Sequence, residues 1–272
     1  MAKKTLGFAL GAGGSRGVAH IGFLQAMENA GIKPDYISGC SMGSVIGAAY
    51  AAGMPLEDIK RAVFGLRILD LIQPTKERGG LLDTKKVRKL LEKYMGDISF
   101  SQLNIPFTCI AADMVEQKIV EFSKGKVLDG VVASSSIPAV FKPTEKDGMR
   151  LVDGGILERV PYRYVKAMGA DVVVAVDVLG WRDCSQKMPT TIGILAETVD
   201  MMDNIQTKIK KERDVGIYDF WLEPNLGNMS QYSLSQIHMA YDKGLEIGEE
   251  YAKRIKRKIS INSVKGNTKS TL

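Results

Sequence analysis

The chain predicts an α/β protein built on a mainly parallel sheet. Three observations carry that reading. Strand-like and helix-like patterns alternate along its 272 residues. Asp171 to Val178 is a near-continuous apolar run of the kind that both faces of a parallel sheet bury. Glycine-rich turns, 11–17 and 39–43, stand where strand patterns hand over to helix patterns.

Leu6 to Leu10 reads as the first strand, residues 11–17 as a loop, and Val18 to Asn29 as a helix with Ile21, Leu24 and Met27 at helical spacing. Gly31 and Pro34 mark a turn before a short second strand, Asp35 to Ser38. Ser44 to Ala52 is a small-residue helix with Gly53 at its C-terminal cap. Pro55 to Met95 reads as largely helical, with an amphipathic stretch at Thr84 to Tyr94 and an apolar part between Leu56 and Leu71 that suits an acyl pocket or lid as well as plain packing. Strands are expected at Pro106 to Ala112, Lys118 to Phe122 and Arg150 to Val152, with a helix at Val127 to Ser134. Pro161 to Met168 is a helix capped by Gly169, and the buried run 171–178 follows it. Helices at Ile192 to Lys208 and Ser235 to Lys258 flank a short strand, Tyr218 to Leu222.

Composition is that of an ordinary globular protein, 45% hydrophobic and 25% charged. Cys40, Cys109 and Cys184 are too few and too scattered for a disulfide framework and read as reduced thiols. The apolar stretch behind Lys3-Lys4 is short and broken by Gly7, so a buried strand suits it better than a signal peptide. No run approaches the roughly 20 apolar residues of a membrane span. Of the net charge of +6, seven basic residues and no acidic ones lie in 253–272, which leaves the first 252 residues at −1. This basic end reads first as a solvated helix terminus. The sharper reading is a weak peripheral hold on anionic membrane. We divide the chain into one domain, 1–258, and a polar basic tail, 259–272, in a protein expected in the cytoplasm or at the inner membrane surface. No nucleic acid is expected as a partner.

The chemistry centres on Gly39-Cys40-Ser41-Met42-Gly43. A Gly-x-Ser-x-Gly between strand and helix is the pattern of a nucleophile elbow, in which a sharp turn presents the serine and small neighbours admit a substrate carbonyl. A serine hydroxyl then needs oxyanion donors and a base. Gly11-Ala12-Gly13-Gly14-Ser15-Arg16-Gly17, between a strand and a helix, offers outward N–H groups beside a positive helix end. A dinucleotide loop is disfavoured, because Arg16 stands where that fingerprint wants glycine and no acidic residue closes the second strand. For the base there are two histidines, His20 and His238, both in helical contexts, and Asp153 in Val152-Asp153-Gly154-Gly155 at a strand end. An aspartate would serve only if desolvation raised its pKa.

Gly13-Gly14-Ser15-Arg16-Gly17, Gly39-x-Ser41-x-Gly43 and Asp153-Gly154-Gly155, in this order and spacing, resemble the patatin-like phospholipases. Ser134 to Phe141 and Val18-Ala19-His20-Ile21-Gly22 resemble that family too, the latter its short bacterial members. The resemblance covers about Leu6 to Val178. It implies a three-layer α/β/α fold and hydrolysis of lipid or other acyl esters by a Ser-Asp dyad, without metal or cofactor. By position, Ser41 is the nucleophile and Asp153 the base. Gly13 and Gly14, aided by Ser15, form the oxyanion hole, and Arg16 shapes that loop. Two other readings stand beside it: an α/β-hydrolase triad of Ser41, His238 and Asp177, and a regulatory or adaptor protein that keeps the fold with little turnover.

Overall fold

The computed structural model describes residues 4–66, 82–180 and 191–260. Cys184, the 67–71 end of the apolar stretch and all but the first two residues of the tail lie outside them.

Eight strands form one mixed sheet: β1 (Leu6–Leu10), β2 (Tyr36–Cys40), β3 (Phe107–Asp113), β4 (Lys118–Phe122), β5 (Thr144–Lys146), β6 (Met149–Asp153), β7 (Val172–Val176) and β8 (Phe220–Leu222). Its centre is parallel, in the order β3-β2-β1-β7-β8. β4, β5 and β6 join it antiparallel. The helices are α1 (Ala19–Asn29), α2 (Met42–Ala51), α3 (Leu56–Phe64), α4 (Lys85–Met95), α5 (Val127–Ser134), α6 (Tyr162–Ala167), α7 (Thr191–Arg213) and α8 (Ile237–Ser260). The loop read over 11–17 contains a 3-10 turn, Gly14–Val18. β5 is an element the sequence reading lacks.

Alternation along β1 sorts the core into two layers. Leu6, Phe8 and Leu10 pack against the buried faces of α1, α2, α5 and α8. Ala9, with Val173 and Ala175 of β7, packs on the opposite face against Tyr162 and Val165 of α6. The result is a three-layer α/β/α sandwich. α8 presents small residues at helical spacing (Ala240, Gly244, Gly248, Ala252) toward α1. A Cβ on Gly244 would sit 1.9 Å from the Ala19 carbonyl oxygen, so the two helices meet backbone to backbone.

The arrangement around β3 positions the candidate site. β4 runs along one edge of β3, from Cys109 to Asp113. The other edge is shared. β2 pairs in parallel with residues 107–110, ending with Cys40 opposite Ile110. β6 pairs antiparallel with residues 111–113, ending with Asp153 opposite Ala111. The two strands therefore run toward each other and meet end to end at adjacent registers of β3. Sequence reasoning placed Asp153 at the C-terminal edge of a parallel sheet. The direction of β6 corrects the reason: it descends from beyond that edge to reach Ser41.

Candidate active site

Ser41 occupies the turn between β2 and α2 at φ 52°, ψ −125°, a left-handed conformation that a residue with a Cβ rarely adopts. The neighbouring glycines allow it. A Cβ on Gly43 would lie 2.2 Å from the Leu10 carbonyl oxygen, and one on Gly39 would lie 2.5 Å from Ser44 Cα. The turn is held from outside as well, since the Ser41 amide donates to Ser134 Oγ at 2.9 Å. Two residues on, the Ser136 carbonyl accepts the Asp153 amide, also at 2.9 Å. The end of α5 thus braces both residues. Sequence reasoning marked the Ser134 to Phe141 segment by its family resemblance but assigned no role to Ser134 or Ser136, since a serine at a helix end carries no chemical signal of its own.

Ser41 and Asp153 are both almost wholly buried. Asp153 Oδ1 accepts the Gly155 amide at 2.8 Å and faces the Cys40 thiol, whose Sγ is 3.6 Å away. Burial pushes the Asp153 carboxyl up to about 6. Hydrogen bonding from Ser41, Gly155 and Cys40 pulls the other way, and the charge of Asp203 adds to the rise. Burial raises the Cys40 thiol further, so it stays protonated beside the carboxylate.

The glycine-rich loop lies across the ends of β1 and β7. Ala12 N donates to the Arg159 carbonyl at 2.8 Å, Ser15 N to the Gln231 carbonyl at 2.9 Å, and Arg16 N back to the Gly13 carbonyl at 3.0 Å. The amides of Ser15 and Arg16 are thus engaged within the fold. Among the described residues no hydrogen bond uses the Gly13 or Gly14 amide, so these two remain as free donors. Gly14 has φ +50°, and a Cβ there would lie 2.3 Å from the Gln231 carbonyl oxygen. The Arg16 side chain is fully buried. Its Nε donates to the Val178 carbonyl at 2.8 Å and its guanidinium reaches the Met229 carbonyl at 3.2 Å, which ties the loop to β7 and to the segment before α8.

Neither histidine joins this group. His20 is buried with Nε2 2.8 Å from the Gly11 carbonyl, so that nitrogen carries the proton. Burial holds the ring down to about 4 and keeps it neutral. His238 is exposed and its ring lies tilted against Phe64 of α3, ring centroids 4.3 Å apart. Asp177 is bound to Arg159 at 2.8 Å and to the Leu179 amide at 3.1 Å. Among the described residues the Ser41-His238-Asp177 triad is not assembled. No cluster of metal-ligating side chains occurs among them, and no described helix is long and apolar enough to cross a membrane.

Residues 8–166 match the family model described as patatin-like phospholipase. The chain belongs to the patatin-like phospholipase family. An uncharacterized NTE family protein of Mycobacterium tuberculosis is 38% identical over 175 residues, which is 63% of this chain and 48% of that protein. A lysophospholipase nte1 of Aspergillus fumigatus is 33% identical over 184 residues, 64% of this chain and 12% of that protein. This patatin-like chain thus spans about half the length of the mycobacterial relative and an eighth of the fungal one. The crystal structure of VipD from Legionella pneumophila superposes with a TM-score of 0.64 at 13% identity, covering 93% of this chain and 67% of that one. That likeness is one of fold.

Proposed function

We propose that this patatin-like protein is a serine acyl hydrolase that cleaves carboxylic esters of lipids, in the manner of a phospholipase A, lysophospholipase or esterase, through Ser41 and Asp153. The observation that carries the reading is the meeting of β2 and β6 on β3, with a left-handed serine at one strand end and a desolvated carboxylate at the other. Family membership and the fungal relative's description as a lysophospholipase support lipid esters as the substrate class.

In this mechanism the Asp153 carboxylate accepts the Ser41 proton as Oγ attacks the acyl carbonyl. The Gly13 and Gly14 amides hold the oxyanion of the tetrahedral adduct. Collapse breaks the ester C–O bond, and Asp153 returns the proton to the leaving alcohol. Asp153 then takes a proton from water, which attacks the acyl-enzyme, and the second collapse frees the fatty acid and restores Ser41. A carboxylate with pKa about 6 is ionised at neutral pH yet basic enough to assist.

Labelling by a fluorophosphonate probe, alongside p-nitrophenol release from acyl esters, tests this. The wild type is expected to label and turn over. Ser41→Ala abolishes both, Asp153→Asn lowers turnover about 100-fold or more, and His238→Ala leaves both unchanged. A wild type inert to probe and ester, or loss of activity in His238→Ala, overturns the reading.

A further inference from the structure

α7 is built inside out. Its described inward side chains are polar and bonded. Asp203 and Asn204 bind the buried Arg159 at 2.8 and 2.6 Å, Thr207 binds Asp203 at 3.2 Å, Lys210 binds the Leu157 carbonyl, and Asp214, just past the helix, takes the Tyr162 hydroxyl at 2.5 Å. Its outward face carries a run of exposed apolar side chains, with Thr198 and Glu212 among them. Ile194, Val199, Met201, Met202, Ile205 and Ile209 are each between 46% and 63% exposed. At 100° per residue, Ile194, Met201, Ile205 and Ile209 fall on one stripe opposite the Asp203 side. Singly exposed apolar residues need no explanation, but a run along one helix marks a contact surface.

Charge at the margin selects the occupant. Glu197 and Lys208 flank the stripe on the same side, both are exposed, and neither is in an ion pair among the described residues. They lie eleven residues apart, about 16 Å along the helix axis. Two copies of α7 packed antiparallel about a two-fold near Met202 bring Glu197 of each level with Lys208 of the other, on one flank of the apolar seam. Such flanking pairs set orientation between helices. Two-fold symmetry makes the ion pair twice over and brings the stripe onto itself. An anionic lipid surface would instead meet two acids, Glu197 and Glu212, against one base, Lys208, all exposed on this face.

We propose that the outer face of α7 is a self-association surface, paired antiparallel with α7 of a second copy. One helix face is a small interface, so the dimer is weak and concentration-dependent.

Sedimentation velocity over the micromolar range, on the full chain, reads this. The wild type is expected to shift from monomer to dimer, and Ile205→Glu to remain monomeric. Glu197→Lys and Lys208→Glu each weaken the dimer about tenfold, since each turns two attractions into repulsions, and the double exchange restores it. Under mild oxidation Met202→Cys cross-links to its own copy. Ile194→Cys does not, because its copies are about 25 Å apart in this register. A wild type that is monomeric throughout overturns the proposal. Co-flotation with anionic vesicles would then assign the face to lipid, and its absence would assign it to the chain itself. A dimer indifferent to the charge exchanges equally overturns it.

Discussion

Asp153 and His20 are buried in opposite senses, and the pH dependence of stability follows from both. Burial raises Asp153 from 3.8 to about 6, so between those values the folded chain holds a proton that the unfolded chain has released, and stability falls as pH rises. Burial lowers His20 from 6.5 to about 4, so over nearly the same window the unfolded chain holds the extra proton, and stability falls as pH drops. Each effect is about 3 kcal/mol, so they offset. These two groups together leave urea stability little changed between pH 4 and 6.5, and burial of Glu158 and Asp203, which raises both carboxyls, adds a fall as pH rises. Asp153→Asn removes one side of the balance while keeping an acceptor for Gly155. Relative to the wild type, its stability should therefore rise by about 3 kcal/mol across that window and exceed the wild type at pH 8. A parallel dependence in the two proteins would refute the assignment. On the proposed mechanism, kcat/KM of the wild type declines below about pH 6 as the carboxylate takes up its proton. Ser41 and Asp153 were legible because glycines on either side of one and after the other mark backbone that tolerates no side chain. Ser134 and Ser136 act through a hydroxyl and a carbonyl that any helix end could offer, and left no such mark.

At the scale of elements, two joints depend on single residues. The α1–α8 crossing has no room for a methyl group at position 244. Gly244→Ala should cost about 1–3 kcal/mol in chemical denaturation by forcing the helices apart, while the same change at Gly31, where a Cβ meets nothing within 4 Å, would act only through its backbone conformation at φ +69°. Arg159 is the second joint. It is the cation between Asp177 at the end of β7 and Asp203 on α7, and its carbonyl holds the Ala12 amide of the glycine-rich loop. Arg159→Met leaves two buried carboxylates without their partner, and a loss of about 3–5 kcal/mol is expected. The long elements were legible from their apolar spacing. β5 was not: Thr144-Glu145-Lys146 has no apolar alternation and is a strand only because the turn at Asp147-Gly148 folds it onto β6. Nor could the inward face of α7 be read, since its polar residues look like a solvated surface until Arg159 is seen beneath them.

For the whole molecule, the alternating pattern was enough to predict an α/β chain on a mainly parallel sheet, since the buried runs of β1 and β7 suit the centre of such a sheet, while the three layers came from the family resemblance. The reversal of β6 was not written in any local pattern. A three-residue strand segment reads the same in either direction, and only pairing with residues 111–113 fixes its sense. That pairing has a consequence for the chain as it is being made. Ser41 and its elbow leave the ribosome early, yet the carboxylate that faces it arrives 112 positions later, on a strand that can dock only once β3 is in place. On the proposed mechanism, a nascent or truncated chain ending before Asp153 carries the nucleophile without its base. On that mechanism competence arrives with β6, the last in chain order of the strands that pair with β3, so an unfinished copy is inactive toward its ester substrate.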